Sequence, residues 1–257
     1  MISLFKKLRR HPLAMKAFFR RSLVLTYAFP KKILEPLLDP GLSLDDYQGN
    51  AFIALALVET RQLRPNPLPA WLGRNFFLIG FRVFVKFSTR EGKTLRGLKI
   101  LQSLTDSSLM AKLGNIFTAY QWKKSHIVSQ DLPGKIWEIR CSSARHNDEL
   151  QLRADLSGKS AELPPESPFP DFKTARKFAG PLPHTFSFEK DSQKVLVVQG
   201  RRQAWDPQPV HVEILQNRFF DKAPFQNSTP RLANAFFLEN IPYHWEAGKL
   251  MVPLRHE

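Results

Sequence analysis

The sequence predicts a mainly β (α+β) fold, an antiparallel barrel or highly twisted sheet carrying a few short helices. Three observations carry that expectation. Roughly ten segments show period-2 alternation or continuous apolar runs of strand length. The helical patterns between them are short and few, so βαβ crossovers are not indicated. Proline (20 residues) outnumbers glycine (12), and proline clusters punctuate the strand patterns.

The elements follow in order. Residues 1–21 read as a basic helical segment. Ile2, Phe5 and Leu8 share one face and Lys6, Lys7, Arg9 and Arg10 the rest; after Pro12, Leu13, Ala14, Ala17 and Phe18 form a second stripe. Ser22–Phe29 is a strand, and Pro30 opens a short helix over Lys31–Leu38 that Asp39-Pro40-Gly41 stops. Leu42 and Leu44 alternate. A long strand over Ala51–Leu63 ends at the stiff Arg64-Pro65-Asn66-Pro67-Leu68-Pro69. Phe76–Ser88 and Thr94–Ser103 flank the hairpin signal Arg90-Glu91-Gly92-Lys93. Thr105 or Asp106 caps a helix over Ser107–Leu113, with Gly114 or Asn115 as its stop.

Ile116–Val128 returns to strand character. Ile136–Cys141 and Leu150–Leu156 form an antiparallel pair, with Leu150, Leu152, Ala154 and Leu156 on one face. Four prolines between Pro164 and Pro170 interrupt the chain. A helix over Asp171–Phe178 stops at Gly180-Pro181. Strands follow at Thr185–Phe188, Lys194–Gly200, Val210–Leu215 and Lys249–Val252. The second half lacks the apolar runs of an independent core, so residues 22–257 read as one domain.

Composition narrows the function classes. The 257 residues are 43% hydrophobic and 12% aromatic, a globular balance. No run of about 18 uncharged apolar residues occurs, so no spanning helix is expected. One cysteine, Cys141, forbids an internal disulfide or a thiolate zinc cluster, suits a cytoplasmic setting, and reads as a buried structural thiol. The net charge of +15 favours an anionic partner. Nine basic residues precede the first acid, Glu35. The basic start is therefore a candidate peripheral contact for an anionic membrane surface. Nucleic acid is disfavoured, because no recognised binding motif or basic-aromatic platform is present. Oligomerisation stays open.

No Walker loop, dinucleotide fingerprint or nucleophile elbow occurs, and no two histidines stand at i, i+4. No cofactor or metal is indicated. Three segments are chemically unusual. Glu59 and Arg61 end a strongly apolar strand, as an ion pair closing a barrel mouth or as ligand contacts. Arg82 stands in the apolar Phe81–Val85 and needs a partner if its face is buried, with Glu59 first in line. Lys123 and Lys124 follow the aromatic run of Tyr120 and Trp122. A lysine facing an apolar interior beside a second cation would have a lowered pKa and could form a Schiff base; a strand end running into solvent is the other reading.

The run Leu34-Glu35-Pro36-Leu37-Leu38-Asp39-Pro40-Gly41-Leu42, then Ala51–Ala54, Gly80–Val85, Arg96–Leu101, Thr105-Asp106 and Gly114-Asn115 leading to Thr118 and Tyr120, resembles the YqjF-like family of uncharacterised proteins. That family is similar in fold to acetoacetate decarboxylase. The resemblance implies a cone-like antiparallel barrel of that type with a small-ligand pocket inside. In the decarboxylases the nucleophile is the first of a Lys-Lys pair, which Lys123 and Lys124 resemble, although Trp122 stands where the decarboxylases have proline. The resulting expectation is a protein that binds, and could transform, a small anionic or carbonyl compound. If it is an enzyme, it uses lyase-like chemistry with Lys123 and Lys124 as catalytic residues and Glu59, Arg61, Arg82 and Tyr120 as ligand contacts. The alternative is a non-catalytic protein meeting an anionic surface through residues 1–21.

Overall fold

Alternating apolar residues fold into strands at most of the places where the sequence predicts them, and in one long stretch where it does not. The computed structural model describes residues 7–143, 146–158, 162–180, 182–203 and 206–254. In chain order the strands are β1 (Met15–Pro30), β2 (Leu42–Leu44), β3 (Asn50–Pro65), β4 (Arg74–Ser88), β5 (Thr94–Thr105), β6 (Trp122–Lys124), β7 (His126–Leu132), β8 (Ile136–Ser143) and β9 (His146–Asp155). They continue with β10 (His184–Glu189), β11 (Lys194–Arg202), β12 (Gln208–Pro209), β13 (His211–Asn217), β14 (Arg231–Trp245) and β15 (Lys249–Met251). The α-helices are α1 (Lys31–Leu34), α2 (Ser108–Phe117) and α3 (Phe172–Ala179).

Pairing runs β14-β1-β3-β4-β5-β10-β11, and β11 pairs back onto β14 through Gly200–Arg202, which closes the large sheet into a ring. Every junction of the ring is antiparallel except β5 with β10, where His184–Phe186 lie parallel to Gly97–Lys99. A second sheet, β13-β9-β8-β7, packs outside it. Alternation assigns each residue of a ring strand to one face or the other. On β3, Ile53, Leu55 and Leu57 point outward into the core shared with Trp137, Ile139, Cys141, Leu150, Leu152 and Ala154 of the second sheet. Ala54, Ala56, Val58 and Thr60 point into the ring. One end of the ring is plugged by aromatic side chains: Phe52 and Phe84 pack against Phe169 and Phe178, which the proline-rich segment and α3 supply. Helix α2 lies over the other end.

Three expectations are corrected. Residues 15–21 are not helical. They form the start of β1, where Met15 pairs with Trp245 and Phe19 with Thr60, so two flanking strands override a weak helical stripe. Ile2 and Phe5 of the first stripe, and Lys6 of its basic side, lie outside the described residues, as does Pro181. Second, α2 is capped by Ser107, whose side chain accepts from the Met110 N–H, and runs through Gly114 to Phe117. Gly114 is a packing residue here, because a Cβ would stand 2.4 Å from the Trp122 ring. The expected strand Ile116–Val128 is consequently split into a helix end, β6 and β7. Third, β14 spans 15 residues that no strand pattern announced. Cys141 is fully buried in the outer core, and burial pushes its thiol up to about 12, consistent with a structural role.

Candidate functional site

The inward faces of the ring strands surround a cavity of about 380 Å³. Most of its wall is apolar, with Ala54, Ala56 and Val58 from β3, Leu78 from β4, Ile100 from β5 and Val198 from β11. Small residues on β3 matter: larger ones there would fill the space. Polar side chains interrupt the apolar wall. Arg82 comes from β4, Arg202 from β11, Tyr243 from β14, Thr185 from β10, and Tyr120 from the segment after α2. Among the described lining residues there is no aspartate, glutamate or lysine.

Two glycines make room for the polar groups. Gly80 precedes Arg82 on the same face, and a Cβ at Gly80 would lie 3.0 Å from Arg82 Nε. Gly200 precedes Arg202 in the same way, and a Cβ there would lie 2.1 Å from the Tyr243 hydroxyl. Each strand thus carries Gly-x-Arg, the glycine clearing volume for the head group beside it. Arg202 lies over the Tyr243 ring, with its guanidinium carbon 5.4 Å from the centroid.

The electrostatics are one-sided. Arg82 Nε is buried with no hydrogen-bond partner. Burial pulls the Arg82 guanidinium below its ordinary value; the Tyr243 and Tyr120 hydroxyls oppose that shift and the Arg202 charge adds to it. Burial lowers Arg202 as well, against Tyr243. Both stay protonated, because guanidinium loses its proton only in strong base. Tyr120 shares a 2.8 Å hydrogen bond with Thr185 Oγ1, and burial pushes its hydroxyl up to about 12, so it remains a neutral donor or acceptor. Beyond Arg64 and Arg74, which also line the cavity, the arrangement offers Arg82, Arg202 and several hydroxyls to whatever enters, and no acid among the described lining residues.

The sequence-predicted residues separate into two groups. Arg82 and Tyr120 meet inside the cavity. Glu59 and Arg61 do not, because they lie on the outward face of β3, in register with Leu57. There they pair with each other, and Arg20 Nη2 approaches Glu59 at 2.7 Å, so the expected Glu59–Arg82 pair is not formed. Lys123 and Lys124 are exposed on β6. Lys123 Nζ reaches Gln102 Oε1 at 3.4 Å, and Lys124 Nζ donates to the Asp106 carbonyl at 2.6 Å. Only the preceding Trp122 turns into the cavity. The physical reason is the helix: α2 absorbs the residues that a continuous strand would have used to aim the pair inward. Arg202, Tyr243 and Thr185 were missed by sequence reasoning. Among the described residues no group of three or more His, Cys, Asp or Glu converges to hold a metal ion.

His11 stands at the cavity mouth, 8% exposed, with Nδ1 unpartnered. Burial lowers its pKa, against the raising effect of nearby backbone hydrogen bonds. The unfolded chain therefore binds this proton more readily than the folded one, so stability falls as pH drops below the ordinary value of 6.5. His11→Asn, which suits the local φ of 53°, should flatten this dependence in urea unfolding between about pH 7 and pH 5. Equal slopes in both proteins would refute the assignment.

The family described as an uncharacterized conserved protein, DUF2071, matches over residues 16–241. No curated protein matches the chain. Among solved structures, acetoacetate decarboxylase from Legionella pneumophila subsp. pneumophila str. Philadelphia 1 superposes with a TM-score of 0.61 at 10% identity, over 94% of this chain and 88% of that one. The enduracididine biosynthesis enzyme MppR complexed with pyruvate gives 0.60 at 11% identity, over 95% and 92%. An acetoacetate decarboxylase-like enzyme from Sphingomonas wittichii RW1 gives 0.59 at 13%, over 95% and 94%. At these identities the likeness establishes the fold alone: an acetoacetate decarboxylase-like one.

Proposed function

We propose, for a chain that belongs to the DUF2071 family of uncharacterized conserved proteins, that the ring cavity binds a small organic acid through its carboxylate. The observation that carries this reading is Arg82, whose Nε is buried without a hydrogen-bond partner, in an apolar cavity that Arg202 also lines and whose described lining holds no acid. A buried cation without an internal anion is costly, and a bound carboxylate would supply the missing charge. Guanidinium suits that role because its planar donors match the two carboxylate oxygens. Tyr120 and Thr185 would add hydroxyl contacts, and the Ala, Val and Leu walls would take an apolar tail. The fold supports the reading in a limited way, since the MppR structure is described with pyruvate bound. The proposal stops at binding: the described lining offers no amine for a Schiff base, and Lys123 and Lys124 lie outside.

Calorimetric titration with pyruvate, octanoate and neutral octanamide tests it. An acid should bind, and the amide about tenfold or more weakly, because a charge-assisted hydrogen bond contributes about 1.5–3 kcal/mol. Arg202→Met should weaken acid binding by a similar factor. Equal binding of acid and amide, or an indifferent Arg202→Met protein, would overturn the reading.

A further inference from the structure

The cavity opens through a mouth built from three chain segments. The His11 N–H donates to the Phe117 carbonyl at 3.0 Å, which fixes residues 7–14 beside the end of α2. The Asn66 N–H donates to the Ala14 carbonyl at 2.8 Å, which fixes the loop between β3 and β4 on the other side. Leu13, Leu72 and Leu113, one from each segment, line the cavity.

These segments are unusual in what they show to water. Of ten exposed large apolar side chains among the described residues, six lie here: Leu13, Leu68, Trp71, Leu72, Leu109 and Leu113. Trp71 is 80% exposed at the tip of a short 3₁₀ turn. Single exposed apolar residues are ordinary, but six on segments that meet around one opening form a patch. Their charges are equally biased. Residues 7–14, 64–74 and 108–117 contain Lys7, Arg9, Arg10, Arg64, Arg74 and Lys112 and no acid. Arg10 pairs with Glu189 at 2.8 Å; the other five have no acidic partner among the described residues.

We propose that this face docks on an anionic phospholipid bilayer, with the cavity mouth opening against the lipid. Aliphatic and indole side chains would enter the interfacial layer, where tryptophan is favoured, and the surrounding cations would meet acidic headgroups. Each basic residue near such a surface contributes about fivefold in partitioning. This inference does not depend on the ligand: it rests on the rim, whereas carboxylate binding rests on Arg82 and Arg202 inside.

Co-sedimentation of the full chain with phosphatidylcholine vesicles, with and without phosphatidylserine, provides the test. Binding is expected with phosphatidylserine at low salt, weakening as salt is added. The Leu13→Glu/Trp71→Glu protein should bind at least about tenfold less, since it places two acids where lipid would lie. Leu13 is 51% exposed and Trp71 80%, so its thermal midpoint should stay close to the parent's, and Leu215→Glu, exposed on the second sheet, should leave binding intact. Any of the following results would overturn the proposal. One is no binding to phosphatidylserine vesicles; another is equal binding to phosphatidylcholine alone, or binding that the double substitution does not weaken. The last is a dimer in sedimentation velocity that the double substitution splits, which would assign the face to a second copy of the chain.

Discussion

Replacing Arg82 by methionine is expected to stabilise the unliganded protein while removing its affinity for acids. The two effects share one cause. Arg82 Nε is buried without a partner, and burial lowers the group's pKa despite the nearby Tyr243 and Tyr120 hydroxyls, with Arg202 adding repulsion. A charge held in this way raises the energy of the empty protein. Exchanging such a group for an apolar one of similar length commonly stabilises by about 1–4 kcal/mol. In a chain of this size, each 1 kcal/mol moves the thermal midpoint by about 2–4 °C. Binding should fall by about two orders of magnitude, the range for losing a charged partner of a desolvated carboxylate. Arg82→Lys separates charge from shape: it keeps the cation but loses the planar fork, so it should bind weakly. Urea unfolding and calorimetry on the same preparations read both quantities. A destabilised Arg82→Met protein would mean that Arg82 serves the fold, and the binding role would then fail.

How far the site was legible depended on which strand carried it. Arg82 stood out because it interrupts Phe81–Val85, an apolar run in which a charge is conspicuous. Its twin, Arg202, did not, because Arg201-Arg202 follows Gly200 and reads as a strand end running into solvent. Tyr243 was hidden for a different reason. Glu239-Asn240 and Pro242 break the apolar pattern of β14, which is held instead by pairing with β1 along most of its length. The spacing Gly-x-Arg, on both β4 and β11, is the signal that could have joined the two arginines, but its meaning needs the ring to bring the strands together. The lysine pair failed through the same dependence on register. A strand from Ile116 would have turned one lysine inward; a helix that continues to Phe117, followed by a reset at Gln121 with φ 52°, leaves both outside. The outward pair Glu59–Arg61 was correctly placed on one face by alternation, and only the side of the sheet that would hold the cavity was beyond reach.

Gly97→Val should be the most damaging single substitution in the ring. At the parallel junction within the ring, β5 meets β10 through three residue pairs, and Gly97 is the first of them, opposite His184. A Cβ at Gly97 would stand 2.4 Å from the His184 carbonyl oxygen and 2.7 Å from the Phe186 ring. The first of these is backbone and cannot rotate away. His184 Nδ1 also bonds to the Arg96 carbonyl at 3.0 Å, so the neighbouring contact resists sliding. Accommodating valine therefore requires β10 to separate from β5. That exposes Phe186, which is buried against Phe87, and opens the cavity wall that carries Thr185. Overpacking alone costs about 1–3 kcal/mol, and loss of the seam adds to it. A loss above about 3 kcal/mol is expected, with a fall of about 6–12 °C in the thermal midpoint. Gly134→Ala is the matching control: its φ of 78° imposes strain of about 1–2 kcal/mol, but no atom lies within 4 Å of the added Cβ. If Gly97→Val unfolded no more easily than Gly134→Ala, the ring would not be closed by this junction, and the cavity would lose the wall on which the two-arginine arrangement depends.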